Sequence, residues 1–270
     1  MGRFITLALA ALIAAASAQA EPDDPLRAAI DHPNRTAEER ARDEYRHPYE
    51  TLEFFGIEPD MTVVELFPGG GWYSGILAPY LADEGKLVAA HFNLDRVDAP
   101  SYYRPAYEGY VARFVESGDF GEIEVIPFDP PDLMRLGEPG SADAVLTFRN
   151  VHTFMSDGQL HTVAAAAYEV LEAGGVFGVV GHRLPEDREQ DPGAPTGYVQ
   201  ESVVVAAAEK AGFTLAERSE INANPKDDAD HPNGVWTLPP NLNVPEGEDA
   251  AEYRAIGESD RFTLKFVKER

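Results

Sequence analysis

A buried strand that runs directly into a cluster of glycines and then into a helix leaves a chain few folds to adopt. Thr62-Val63-Val64-Glu65-Leu66 reads as a short apolar strand, Pro68-Gly69-Gly70-Gly71 as a turn, and Trp72 to Leu81 as a helix. Glycines at such a turn let the backbone come close to a ligand, and the unpaired N–H groups at the helix start face it. The same residues also suit a tight turn that only packs the helix against its strand.

The remaining chain repeats this alternation. Apolar runs predict strands at 86–92, 123–127, 142–148, 176–181, 213–221 and 261–267. Between them, amphipathic stretches predict helices over 102–117, 157–171 and 199–211. Thr36-Ala37-Glu38-Glu39 is a capping box that should start a helix reaching about Arg46, and Pro48 restarts one through Phe55. Strand–helix repeats of this kind build a parallel sheet with helices on both faces. The last two strands have no crossover helix between them and should pair antiparallel. The expected fold is therefore α/β and Rossmann-like, with seven mostly parallel strands and an antiparallel last strand. Residues 21–55 form a leader with helices, of which 21–34 read as exposed. Residues 56–270 form the main domain, which carries a long proline-rich insert at 222–260, and loops of that length are usually functional.

Charge and composition narrow the function. The chain has 270 residues, 44% hydrophobic and 26% charged, which suits a globular protein. Its net charge of −25 argues against a nucleic-acid partner held by phosphate contacts. It has no cysteine, so disulfides, thiolate nucleophiles and cysteine metal sites are excluded. At the start, Arg3 precedes an apolar run from Phe4 to Ala16, and Ala18-Gln19-Ala20 offers small residues before Glu21. That layout predicts a signal peptide over residues 1–20, cleaved between Ala20 and Glu21. The apolar run is shorter than the roughly 20 residues of a membrane span. A periplasmic or secreted protein follows, with no membrane insertion after cleavage.

The glycine turn departs from the dinucleotide fingerprint, because Ser74 stands where Gly69-x-Gly71 would need its third glycine. With Glu65 two residues before Phe67, the chain instead resembles the class I S-adenosylmethionine-dependent methyltransferase family. That family's first motif is acid-x-Gly-x-Gly-x-Gly. Glu65 fits the acid, Gly69 and Gly71 fit the later glycines, and Phe67 replaces the first. The likeness runs from about Phe54 to Lys268. It is closest to a bacterial subgroup known only as predicted methyltransferases, through Arg42-Asp43-x-x-Arg46-His47-Pro48, Phe148-Arg149-Asn150-Val151-His152 and His231-Pro232-x-Gly234-Val235-Trp236-Thr237-Leu238-Pro239-Pro240. The resemblance implies S-adenosyl-L-methionine as cofactor. Gly69, Gly70 and Gly71 then cradle its amino-acid end. His91, with Asn93 and Asp95 behind it, takes the place of the acid that holds the ribose, and Asp129 lies near the adenine amine. A Cβ at Gly69 or Gly71 should crowd the ligand or strain the backbone.

Ligands of open parallel sheets bind beyond the carboxyl ends of the strands. Asn150 and His152 follow the fourth strand and His182 the fifth, so these are the candidate catalytic residues. A histidine there can take a proton from a hydroxyl or amine acceptor, with activity rising through pH of roughly 6 to 7. It can equally fix the loops by a structural hydrogen bond. His152, His182, Asp157 and Glu186 are possible metal ligands, but no metal-binding spacing is present and no metal is expected. Asp227-Asp228-x-Asp230-His231 could attract a cation but reads rather as a solvated turn. Trp236 and the pair Tyr102 and Tyr103 suit either loop anchoring or a pocket wall. The reading is a methyltransferase acting on a small-molecule acceptor. Its rivals are an exported, non-catalytic nucleoside-type binding protein with the same fold and, more distantly, a nicotinamide-dependent oxidoreductase.

Overall fold

The computed structural model describes residues 24–270. The signal-peptide expectation for residues 1–20 therefore lies outside the described residues. The sheet is built from β1 (Thr62–Leu66), β2 (Lys86–Phe92), β3 (Ile123–Phe128), β4 (Ala142–Phe148), β5 (Leu171–His182), β6 (Thr214–Ser219) and β7 (Arg261–Val267). Their order is β3-β2-β1-β4-β5-β7-β6. The pairs β1–β2, β1–β4, β2–β3 and β4–β5 are parallel, and β7 runs antiparallel to both β5 and β6. This is the Rossmann-like arrangement expected from the sequence.

The helices follow in chain order: α1 (Pro25–Ile30), α2 (Ala37–Arg40), α3 (Asp43–Arg46), α4 (Pro48–Phe55), α5 (Ser74–Leu81), α6 (Tyr103–Tyr110), α7 (Val151–Ser156), α8 (Leu160–Val170), α9 (Glu201–Ala211) and α10 (Ala250–Ile256). The expected capping box is formed: Thr36 Oγ1 accepts from the Glu39 N–H, and the Glu39 carboxylate accepts from the Thr36 N–H. The helix it starts breaks into α2 and α3. α6 continues as a wider π turn over Val111–Glu116.

Two apolar layers sandwich the sheet. Val64 and Leu66 of β1 face the core shared with α8 and α9, through Ala167, Val170, Val204 and Ala208. Val63 faces the other layer, with Ile76 and Leu77 of α5. The leader joins this second layer, against the expectation of an exposed 21–34. Asp24 caps α1 by accepting from the N–H groups of Leu26 and Arg27. Leu26, Ala29 and Ile30 are buried with Leu52 and Phe55 of α4. The short apolar stripe of α1 was masked in the sequence by its proline and charged neighbours.

Strand alternation also sets the fate of Glu65. It lies on the Val63 side and is buried, at 3% exposure. Ser74 Oγ donates to its Oε2 at 2.5 Å, and Tyr110 Oη donates to Ser74 Oγ at 3.0 Å. Burial raises the Glu65 pKa from 4.5 to about 7, partly opposed by the Ser74 hydrogen bond. A carboxyl with a raised folded pKa supports the fold below its unfolded pKa and loses that support as pH rises through the folded one. Glu65→Gln should therefore match the parent near pH 4 and exceed it near pH 8 by up to about 3 kcal/mol. Denaturant titrations of both proteins across that range test this. A difference that does not change with pH would show that the Glu65 charge is fully compensated.

Candidate active site

β1 and β4 lie side by side, and each is followed by a non-glycine residue with left-handed backbone, Phe67 at φ 47° and Arg149 at φ 65°. Such a conformation costs an L-residue roughly 1–2 kcal/mol. Phe67 offsets it by packing its ring among Phe92, Phe128, Phe154 and Tyr103. Phe67 thus holds a left-handed turn of the kind that glycine adopts at little cost. Asn150 Nδ2 donates to the Leu66 carbonyl at 3.0 Å and the Phe67 carbonyl at 3.1 Å, which ties the two strand ends together.

Beyond these ends lies an open cavity of about 360 Å³. Its walls bring Gly69 and Gly70 together with Asn150, His152 and His182, five of the residues expected at the site. Gly69 has φ 60°, and a Cβ at Gly69 or Gly70 meets nothing within 4 Å. The loop therefore presents bare backbone to open space. The leader and the insert close the cavity, through Glu39 and Arg42 on one side and Val235, Trp236, Pro239 and Pro240 on the other. The three stretches that carry the subgroup resemblance meet here. His182 Nδ1 lies 2.6 Å from Ser259 Oγ, and the His152 ring lies 5.7 Å from both the His182 ring and the Trp236 ring. Trp236 is a wall of the cavity.

Four expected cofactor residues stand elsewhere. A Cβ on Gly71 would come within 2.2 Å of the Phe114 ring, so this glycine makes room for a side chain and not for a ligand. Glu65 is spent on Ser74. His91 is fully buried: its Nε2 donates to the Gly69 carbonyl at 3.0 Å and its Nδ1 accepts from the Phe92 N–H at 2.8 Å. It braces the glycine loop and has no nitrogen left for a ribose. Asp129 accepts from Asn93 and from Arg96, both at 3.1 Å, outside the walls of this cavity. Arg96 lines a second depression that shares His152 and Trp236 with the first, so these two rings form the partition.

In the Asp227 turn, Asp228 and Asp230 are exposed as expected, but Asp227 is not. Asp227 is buried, and its two oxygens accept from Tyr198 Oη, the Ala229 and Asp260 N–H groups and His231 Nε2. Its role is to fold the insert. Residues that escaped notice in the sequence include Glu258, Ser259 and Arg261. Glu258 Oε1 accepts from Arg42 Nε at 2.6 Å, and its Oε2 accepts from Arg46 Nε at 3.2 Å and from an Arg261 terminal nitrogen at 2.7 Å. Two arginines four apart in the leader were the available signal, but their partner lies more than 200 positions away.

Comparison with known proteins follows from this geometry. No family model matches the chain, and no curated protein matches it in sequence. Among solved structures, it is similar to a SAM-dependent methyltransferase from Aquifex aeolicus, at 15% identity and a TM-score of 0.55, over 91% of this chain and 99% of that one. It is also similar to a geranyl diphosphate C-methyltransferase from Streptomyces coelicolor, at 11% identity and a TM-score of 0.55, over 90% and 88%. An arsenic(III) S-adenosylmethionine methyltransferase from Chlamydomonas reinhardtii matches at 16% identity and a TM-score of 0.52, over 93% and 75%. The chain has the class I methyltransferase fold. At these identities the likeness is one of architecture.

Burial also changes the electrostatics expected of the histidines. Desolvation lowers His152 to about 4, helped by the Arg149 charge, and lowers His91 to about 4. His182 is held well below the usual imidazole range, first by burial and then by the positive charge of its neighbours. All three are neutral at pH 7. For His91 and His152, the unfolded chain takes up protons below about 6.5 while the fold resists until about 4, so the fold loses stability as pH falls through that window, and His182 acts in the same direction. Imidazole NMR titration should give His152 a midpoint near 4. A midpoint between 6 and 7 would restore the pair as conventional general bases.

Proposed function

We propose that this chain is an S-adenosylmethionine-dependent methyltransferase of the exported bacterial subgroup that its three motifs resemble, acting on a small-molecule acceptor. One observation carries the reading: a single cavity joins the bare backbone of Gly69 and Gly70 to the strand ends that bear Asn150, His152 and His182. The residues present fit the cofactor at its amino-acid end, because the loop leaves a cradle that a side chain would fill. Gly69 and Gly70 would hold it there. When bound, the group supplies a methyl on a positively charged sulfur.

The protein's own contribution is mainly placement. Asn150 fixes the ends of β1 and β4, and His91 fixes the glycine loop. His152 and His182, neutral at pH 7, orient an acceptor by hydrogen bonds and are weak proton acceptors. Ser259 holds the His182 ring. Turnover should then stay flat between pH 6 and 7. Both His91 nitrogens are engaged within the protein, so His91 contributes bracing of the loop and not a ribose contact. The rival reading is an exported nucleoside-type binding protein with the same fold and no chemistry.

Calorimetric titration with S-adenosylhomocysteine separates these readings from a chain that binds no such ligand, and a methyl-transfer assay separates them from each other. Binding in the micromolar range is expected. Gly70→Leu should melt with the parent yet bind at least about tenfold more weakly, since its Cβ meets only open space. Gly71→Ala should lose about 1–3 kcal/mol of stability through collision with Phe114. Failure of the parent to bind, or undiminished binding by Gly70→Leu, would remove the cofactor from this loop.

The export reading is part of the proposal and rests on the Ala18-Gln19-Ala20 site. N-terminal sequencing of protein from the cell-envelope fraction should begin at Glu21. A cytoplasmic protein beginning at Met1 would overturn it.

A further inference from the structure

The chain carries −25, yet the inner end of its cavity is basic. Arg42 and Arg149 line it, and Arg46 and Arg261 are buried beside them. Glu258 is the carboxylate that serves this group, and it pairs with Arg42, Arg46 and Arg261. Arg149 is left over: among the described residues, no carboxylate pairs with its guanidinium and no acceptor takes a hydrogen bond from it. One terminal nitrogen of Arg42 and both of Arg46 are buried without an acceptor, and the Arg46 guanidinium lies 4.5 Å over the Trp72 ring. The other acid of the lining, Glu39, is taken by both terminal nitrogens of Arg113. His152 and His182 add no compensating charge. Four guanidiniums thus face one carboxylate in a desolvated space, where an uncompensated charge is costly.

We propose that the cavity binds its methyl acceptor through a carboxylate, which the Arg149 guanidinium holds with Arg42 beside it. The word acceptor rests on the methyltransferase reading above; the carboxylate does not. A planar guanidinium matches a carboxylate with two parallel hydrogen bonds. The donor's amino-acid end is a second source of the same chemistry. However, that molecule is a net cation, with a sulfonium and an ammonium against one carboxylate, and would add to the positive excess. An anionic acceptor reduces it. Phe148, Val235 and Trp236 supply an apolar wall next to the charge, so the acceptor is a small carboxylic acid with an apolar body.

Benzoate is a suitable probe and benzamide its uncharged counterpart, titrated at constant ionic strength and followed by calorimetry and tryptophan fluorescence. Benzoate should bind the parent at least about tenfold more tightly than benzamide, with and without saturating S-adenosylhomocysteine. Arg149→Gln should weaken benzoate by about tenfold or more and leave S-adenosylhomocysteine affinity within about twofold. Because it removes an unpaired cation, this variant should melt at or above the parent temperature. The parent's discrimination between the two probes tests the site even without the variant. Equal binding of the two probes, or binding of neither, would overturn the carboxylate site. Loss of benzoate on adding S-adenosylhomocysteine, or equal weakening of both ligands in Arg149→Gln, would overturn the acceptor and give the arginines to the donor. Tighter binding of inorganic phosphate than of benzoate would replace the carboxylate by a phosphate. If benzoate binds through Arg149 but S-adenosylhomocysteine does not bind at all, the carboxylate site stands and the methyltransferase reading falls.

Discussion

One buried carboxylate organises the site. Glu258 accepts from Arg42 and Arg46 of the leader and from Arg261 at the start of β7. Burial alone would raise its pKa, but the surrounding guanidiniums hold it down at about 2. It is therefore ionised at neutral pH. Removing one partner from a buried ion cluster typically costs about 3–5 kcal/mol, because charge is left without compensation. Here the loss would also be architectural. Arg46 reaches Trp72 from the position Glu258 gives it, and Trp72 opens the helix side of the glycine turn. The next residue, Ser259, contacts His182. Two consecutive residues of the closing segment thus set the arginine group and the histidine pair together.

The strand ends show how a departure from a motif can keep its geometry. Phe67 stands at the place of a glycine and adopts the backbone that glycine adopts easily. What makes this tolerable lies on other elements: rings from β2, β3, α6 and α7, and the Asn150 amide, which donates to the Phe67 carbonyl. Arg149, one strand over, has the same handedness, and its N–H donates to the Val180 carbonyl of β5 at 2.7 Å. The bend aims its side chain out of the sheet and into the cavity. Strain and uncompensated charge coincide at this residue, as they often do at functional positions.

The architecture was legible because it depends on local pattern. Apolar runs such as Val63 to Leu66 and Ala142 to Phe148 marked strands, and the missing crossover before Arg261 marked the antiparallel pair. The site was legible only where position alone decides it. Gly69, Gly70, Asn150, His152 and His182 follow strand ends, and that placed them at the cavity. Gly71, Glu65, His91 and Asp129 were misplaced because a motif names a residue without naming its partner. Their partners are Phe114, Ser74, the Gly69 carbonyl and Arg96, set by packing between elements. The arginine group was invisible for a similar reason. Arg42, Arg149 and Glu258 carry no mutual signal along the chain, and only folding places them together.

The contrast between an acidic chain and a basic cavity has a consequence for how two reactants arrive. Charges on the surface act through water and are screened within about 8–10 Å at physiological salt. They would favour the approach of the proposed cationic donor and oppose that of the proposed anionic acceptor. Inside the cavity, walls of low dielectric leave the arginine field little screened, and the sign reverses. An anionic ligand of the kind proposed would cross an unfavourable outer field before it meets a favourable inner one. That arrangement slows encounter at low salt and lets the final contacts decide affinity. It also selects against ligands whose attraction is charge alone, since the apolar wall of Phe148, Val235 and Trp236 must contribute before the guanidinium of Arg149 is reached.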